Sequence, residues 1–283
     1  MQRLFHFALA LLVGILWMQC QDSNQSHADI SGEKWETADN DPAVMDGSDR
    51  HFILWPIDTS VQYLMGHFEP SNDTVFTEIN IEHADRPGLY IRKDTYLAFQ
   101  AMDSAAREEG IVLQIRSATR NFDYQKSIWE RKWNGETPIE NGEKLNETTP
   151  DPVERALKIL RYSSMPGSSR QHGGTDIDLN NFANRYFEHG EGLKIYTWLQ
   201  ENGPKYGFRQ PYTAKDSLRP DGYNEEKWHW SFYPVSDVLT EYASRNLKDS
   251  MITGFQGAQT ATEIGIVDHY VLGINRELLP GEQ

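Results

Sequence analysis

The 283-residue chain has a single cysteine, Cys20, so no internal disulfide can staple its fold. It is short of positive charge: 27 Lys and Arg stand against 42 Asp and Glu, a formal net charge of −15. Nucleic acid and anionic membrane surfaces are held through basic patches, and this balance excludes both as electrostatic partners. Nor is there a comfortable membrane span, because the apolar run from Leu4 to Met18 is too short. No internal repeat is visible. What the chain does have is bulk. Eight Trp, thirteen Tyr and twelve Phe, with 38% hydrophobic residues overall, suffice for a substantial core and argue against disorder.

The run Leu4–Met18, preceded by Arg3, has the size of a signal-peptide core, so residues 1–19 are expected to be a signal peptide and the protein periplasmic or in the cell envelope. Cys20 follows and resembles the acylated cysteine of a bacterial lipoprotein, although Trp17-Met18-Gln19 lacks the small residues usual before one. The other reading is a secretory signal whose cysteine is incidental. On the first reading the membrane is met only through a lipid anchor at Cys20. Residues 20–50 are polar, without a sustained apolar period, and read as a flexible tether. The expected organisation is completed by one folded domain over 51–283.

Within that domain, Tyr96, Leu97, Phe99, Ala101, Met102 and Ala105 recur at helical spacing and predict a helix over 94–109, stopped by Gly110. The spacing further predicts a strand over 111–117 and helices over 122–133, 153–162, 191–200 and 235–247, with another in the tail from 252 to 279. Residues 136–152 read as a polar surface loop. Asp176-Ile177-Asp178-Leu179 and Trp228-His229-Trp230-Ser231-Phe232 alternate as half-buried strands do. Helices and short strands without regular alternation indicate an α+β domain, a small antiparallel sheet flanked by helices.

The chemistry is concentrated in two stretches. Met165-Pro-Gly-Ser-Ser-Arg-Gln-His-Gly-Gly-Thr-Asp-Ile-Asp-Leu179 carries His172 on a glycine-softened loop and then two carboxylates, Asp176 and Asp178, aimed in one direction. Glu225-Glu-Lys-Trp-His-Trp230 supplies Glu226 three residues before His229. A catalytic zinc takes about three N or O ligands at ~2.0–2.2 Å and keeps one position open. Asp178 and His229 suit such a site, with Glu226 placed to exchange a proton with water. Plainer roles also suit these residues: strand capping for Asp176 and Asp178, and core packing for Trp228 and Trp230.

Ser169-x4-Gly174-x3-Asp178 and Glu226-Lys-Trp-His229 together resemble the two signatures of the zinc D-alanyl-D-alanine carboxypeptidases of the VanY type, whose fold is shared with the Hedgehog signalling domain. Ser117-Ala-Thr-Arg-Asn-Phe-Asp-Tyr-Gln125 resembles the family's upstream motif, and the three occur in the expected order. The resemblance implies Zn2+ as cofactor, Asp178 and His229 as metal ligands, and Glu226 as general base. It further implies Arg120 at the oxyanion, and Ser169 and Gln125 on the peptide. The implied substrates are peptidoglycan stem peptides ending in D-amino acids. One departure stands out: the family's first zinc-binding His falls at Gln171, with His172 next to it. A one-residue slip that swings His172 in as third ligand is the expectation carried forward. The alternative is a peptide-binding relative that has lost productive metal binding. Asp176, where the family often has a small residue, is expected to orient a ligand.

Overall fold

A computed structural model describes residues 52–275. The expected signal peptide, Cys20 and the whole of the tether lie outside them. Along the chain run α1 (Val61–Leu64), β1 (Phe76–Glu78), β2 (Tyr90–Arg92), α2 (Lys93–Glu108), β3 (Ile115–Ser117), α3 (Phe122–Trp133), α4 (Leu145–Thr148) and α5 (Pro152–Ile159). They are followed by β4 (Asp176–Leu179), α6 (Gly190–Asn202), β5 (Phe208–Arg209), β6 (His229–Phe232), α7 (Tyr233–Asn246) and α8 (Ala261–Ile264). The class is α+β, as expected. One small sheet pairs β1 with β2, and the other has the order β3-β4-β6-β5, every pair antiparallel. Among the described residues no helix is long and apolar enough to cross a membrane.

The register of β4 and β6 positions everything that matters. Asp178 lies opposite His229, Ile177 opposite Trp230, and Asp176 opposite Ser231. Strand side chains alternate between faces, so Asp176, Asp178, His229 and Ser231 share one face. Ile177, Leu179, Trp230 and Phe232 take the other, where they join the fully buried Phe99, Met102 and Ile115 in the core. A second apolar cluster, around Trp129, Trp133, Leu145 and Ile159, packs α3 against α5 and the C-terminal turns.

The helices have identifiable starts. Asn121 caps α3 by accepting from the Tyr124 N–H, and Asp151 caps α5 by accepting from the Glu154 N–H with Pro152 in the first turn. Three expectations are corrected. Only Ile115–Ser117 of the anticipated 111–117 strand pairs, because β4 is four residues long. Leu97 is 46% exposed, since the buried stripe of α2 runs through Tyr96, Phe99, Met102 and Ala106. The tail does not form one helix: Gly257 and Gly265 take positive φ (84° and 72°) and break it into short turns.

Candidate metal centre and substrate groove

Glu226 and His229 are brought together by a tight turn in which the His229 N–H donates to the Glu226 carbonyl at 3.1 Å. That turn is anchored from outside: the Glu226 N–H donates to the Tyr212 carbonyl at 2.9 Å. The cross-strand pair then delivers Asp178. His229 Nδ1 lies 3.1 Å from Asp178 Oδ1 and 3.2 Å from Glu226 Oε2. Among the described residues, one ligand atom from each of Asp178, Glu226 and His229 lies within 4.8 Å of the others. All three are nearly enclosed, at 4%, 5% and 5% exposure. They line a groove of about 570 Å³ whose other walls carry Arg120, Lys132, Ser169, Tyr162 and Trp228. Both strands the sequence singled out therefore meet at one point.

The opposite edge of the imidazole is held just as firmly. His229 Nε2 donates to Asp176 Oδ2 at 2.9 Å, which directs Nδ1 at the other two carboxylates. Asp176 is itself saturated. It accepts from Arg170 Nε (3.1 Å), Thr175 Oγ1 (2.7 Å) and Ser231 Oγ (2.8 Å), while Arg170 also donates to Ser231 and Thr240. Burial alone would raise the Asp176 carboxyl, but the Arg170 guanidinium and then His229 outweigh it and hold it well below the usual range. Burial pushes His229 down, yet hydrogen bonds to Asp176, Asp178 and Glu226 dominate and lift it well above an ordinary histidine. Glu226 is raised, chiefly by desolvation, against the opposing pull of His229. Tyr212 closes the far side, its ring centroid 4.8 Å from that of His229. Arg170 is a residue the sequence reading missed; an arginine six residues before an acidic strand carries no signal of its own.

His172 does not come to this cluster, and the expected slip is corrected. It sits in a 3-10 turn, Arg170–Gly173, followed by Gly174 in a left-handed conformation (φ 72°). The alternation of β4 therefore does not extend back to it. Its Nδ1 donates to the Arg120 carbonyl at 2.6 Å and its Nε2 accepts from the Gly167 N–H at 3.1 Å, so both nitrogens are spent on backbone. Gly66 is needed beside it, because a Cβ there would fall 2.5 Å from Nδ1. The residue that does reach the cluster is Gln171, whose Nε2 donates to Asp178 Oδ2 at 2.7 Å. Gln125 is corrected as well. It is fully buried, donates to the Ser164 carbonyl at 2.7 Å and holds the wall of the groove from behind, out of a peptide's reach. Ser169 and Arg120 both line the groove.

Desolvation is the main reason His172 is lowered to about 4 from 6.5, and an Nε2 that accepts from a backbone N–H has no place for a second proton. Between pH 6.5 and 4 the unfolded chain takes up a proton that the folded chain refuses, so stability is full above 6.5 and declines as pH falls through that window. The decline expected from this group is on the order of 3 kcal/mol. Denaturant unfolding across pH 7 to 4 checks it, against a His172→Gln variant whose amide can make both backbone bonds without titrating. The variant should lose most of the slope.

Comparison with known proteins bears on the family to which the chain belongs. The family model VanY, described as D-alanyl-D-alanine carboxypeptidase, matches residues 88–235, just over half of the chain. A putative carboxypeptidase of Bacillus subtilis, YodJ, is 30% identical over 172 residues, covering 59% of this chain and 55% of that protein. A D-alanyl-D-alanine carboxypeptidase of Enterococcus faecalis is 26% identical over 152 residues, covering 54% and 51%. This chain thus spans about half the length of the curated relatives it matches. Among solved structures, VanYB in complex with D-alanine-D-alanine aligns with a TM-score of 0.44 at 22% identity, over 64% of this chain and 93% of that one.

Proposed function

Because this chain belongs to the VanY family of D-alanyl-D-alanine carboxypeptidases, we propose that it is an exported zinc peptidase acting on peptidoglycan stem peptides that end in D-amino acids. The observation that carries this reading is the convergence of Asp178, Glu226 and His229 on one enclosed point of the groove. Export and a lipid anchor at Cys20 are part of the same proposal, supported by the apolar run Leu4–Met18.

The residues fit a cation. Gln171 Oε1 is buried with no hydrogen-bond partner, and Asp178 Oδ1 meets only His229 Nδ1, 3.1 Å away, which is costly for buried oxygens unless something electropositive satisfies them. Two carboxylates crowd a single imidazole nitrogen. Asp178 and His229 would hold zinc, with the Gln171 carboxamide oxygen as a weaker third donor. When bound, zinc supplies Lewis acidity towards a peptide carbonyl and towards water. Glu226 takes the proton of the attacking water as its oxygen bonds the carbonyl carbon, then gives that proton to the leaving nitrogen as the C–N bond breaks. The raised affinity of Glu226 for a proton, from burial, suits it to hold one between the two events. Arg120 faces the groove with its Nε buried and unpartnered, a fixed positive group for the developing oxyanion. Asp176 keeps the imidazole in the orientation that the cluster requires.

A second reading rests on the Gln171–Asp178 hydrogen bond, which occupies one oxygen of a would-be ligand. On it the domain binds peptides without cutting them. Zinc-supplemented protein should bind about one zinc per chain and release D-alanine from an acetylated peptide ending in D-Ala-D-Ala; stripping the metal with a chelator should abolish release, and zinc should restore it. Peptide binding with neither metal nor turnover supports the second reading. Full turnover after metal removal overturns the zinc assignment.

A further inference from the structure

Among the described residues, two half-buried cations face the groove without a carboxylate partner. Arg120 is one. The other is Lys132, in the last turn of α3, whose ammonium donates to Ser163 Oγ at 2.5 Å and, among the described residues, lies within 4 Å of no carboxylate. Both side chains are half-buried, and the protein carries an excess of 15 negative charges from which partners could have been drawn. Other basic residues of the fold find one: Arg92 with Asp94, Arg170 with Asp176, Lys158 with Glu143. A cation withdrawn from water without a counter-ion is destabilising, so its retention beside a cluster of reacting groups points to an anion that arrives with the ligand. Burial, and Arg120 after it, press the Lys132 ammonium towards deprotonation, which an incoming anion would reverse.

Hydrolysis at a peptide terminus brings two negative charges to such a groove: a transient oxyanion and the permanent terminal carboxylate, a single residue apart. Internal cleavage brings only the first. Resting on the peptidase reading above, we propose that Lys132 receives the free C-terminal carboxylate of the peptide, leaving Arg120 to the oxyanion, and that the chain is thereby restricted to terminal bonds. Ser163 holds the ammonium in place, and Tyr162 and Trp228, tilted against each other with centroids 6.1 Å apart on the same wall, offer apolar surface to a small terminal side chain. Arg185 also lines the groove but is exposed, where water screens it.

The test compares two peptides, an acetylated tripeptide ending in D-Ala-D-Ala as free acid and the same peptide as C-terminal amide. Calorimetric binding is measured to zinc-supplemented full-length protein carrying Glu226→Gln, so that no turnover intervenes. The acid should bind roughly 10- to 100-fold more tightly than the amide, as expected of a charge-assisted hydrogen bond. Adding Lys132→Met should bring the acid down to the amide's affinity while leaving the amide unchanged, which also shows that the variant is folded; Lys132→Arg should restore most of the preference. Equal binding of acid and amide to the parent, or a preference that survives Lys132→Met, overturns the assignment alone. Binding of neither peptide overturns the peptidase reading, and this assignment with it.

Discussion

Glu226→Gln is expected to lower kcat on a D-Ala-D-Ala peptide by about 1000-fold, within the usual range for a lost general base, while zinc content is retained. The carboxamide matches the carboxylate in shape but cannot take a proton from water or return it to the leaving nitrogen. Stability should not suffer. The wild-type carboxylate is only 5% exposed and is held there against desolvation, so a neutral isostere removes a burial penalty. Its backbone contacts to Tyr212 and His229 do not involve the side chain and persist. Single-turnover assays with a melting curve and a metal determination separate the possibilities. Loss of activity together with loss of zinc would make Glu226 a ligand, and unchanged activity would remove it from the mechanism altogether.

The centre of the site was legible because it rests on the most regular feature of a strand. Asp-Ile-Asp-Leu and Trp-His-Trp-Ser-Phe each alternate, and once the two are neighbours the pleat leaves Asp178 and His229 no choice but a common face. What alternation cannot carry is an irregular turn. His172 shares the parity of Asp176 and Asp178 in sequence, but the 3-10 turn and left-handed Gly174 between them erase the count, and the imidazole points at the Arg120 and Gly167 backbone. Gln125 was misplaced for the opposite reason. Phe122, Gln125, Trp129 and Trp133 are spaced three, four and four residues apart, and that stripe is the buried face of α3. Helical periodicity alone would have put Gln125 inside. Lys132 lies on the same helix and had no signal at all, since an uncompensated charge shows itself only when its surroundings are known.

Gln171→His should raise zinc affinity on the order of 100-fold, because a neutral carboxamide oxygen is a poor donor to zinc beside an imidazole nitrogen. The position is right: Gln171 already reaches within 2.7 Å of Asp178, so a side chain of similar length starts next to the cluster. In the proposed centre Asp176 would offset the missing imidazole. A carboxylate on Nε2 makes Nδ1 a more basic donor, and this one is fixed by four hydrogen-bonding partners, Arg170, Thr175, Ser231 and His229. In the proposed zinc centre the two departures from the family pattern, a weaker donor at 171 and an added carboxylate at 176, would act on the metal in opposite directions. Gln171→Ala distinguishes what the glutamine does. If its unpartnered oxygen is a donor, alanine should weaken zinc binding several-fold; if the amide only occupies Asp178, alanine should free that oxygen and strengthen binding. We expect weakening, since a buried acceptor left unsatisfied is costly unless a cation completes it. Zinc titration by competition with a chromophoric chelator, on the wild-type protein and the two variants, reads the sign directly.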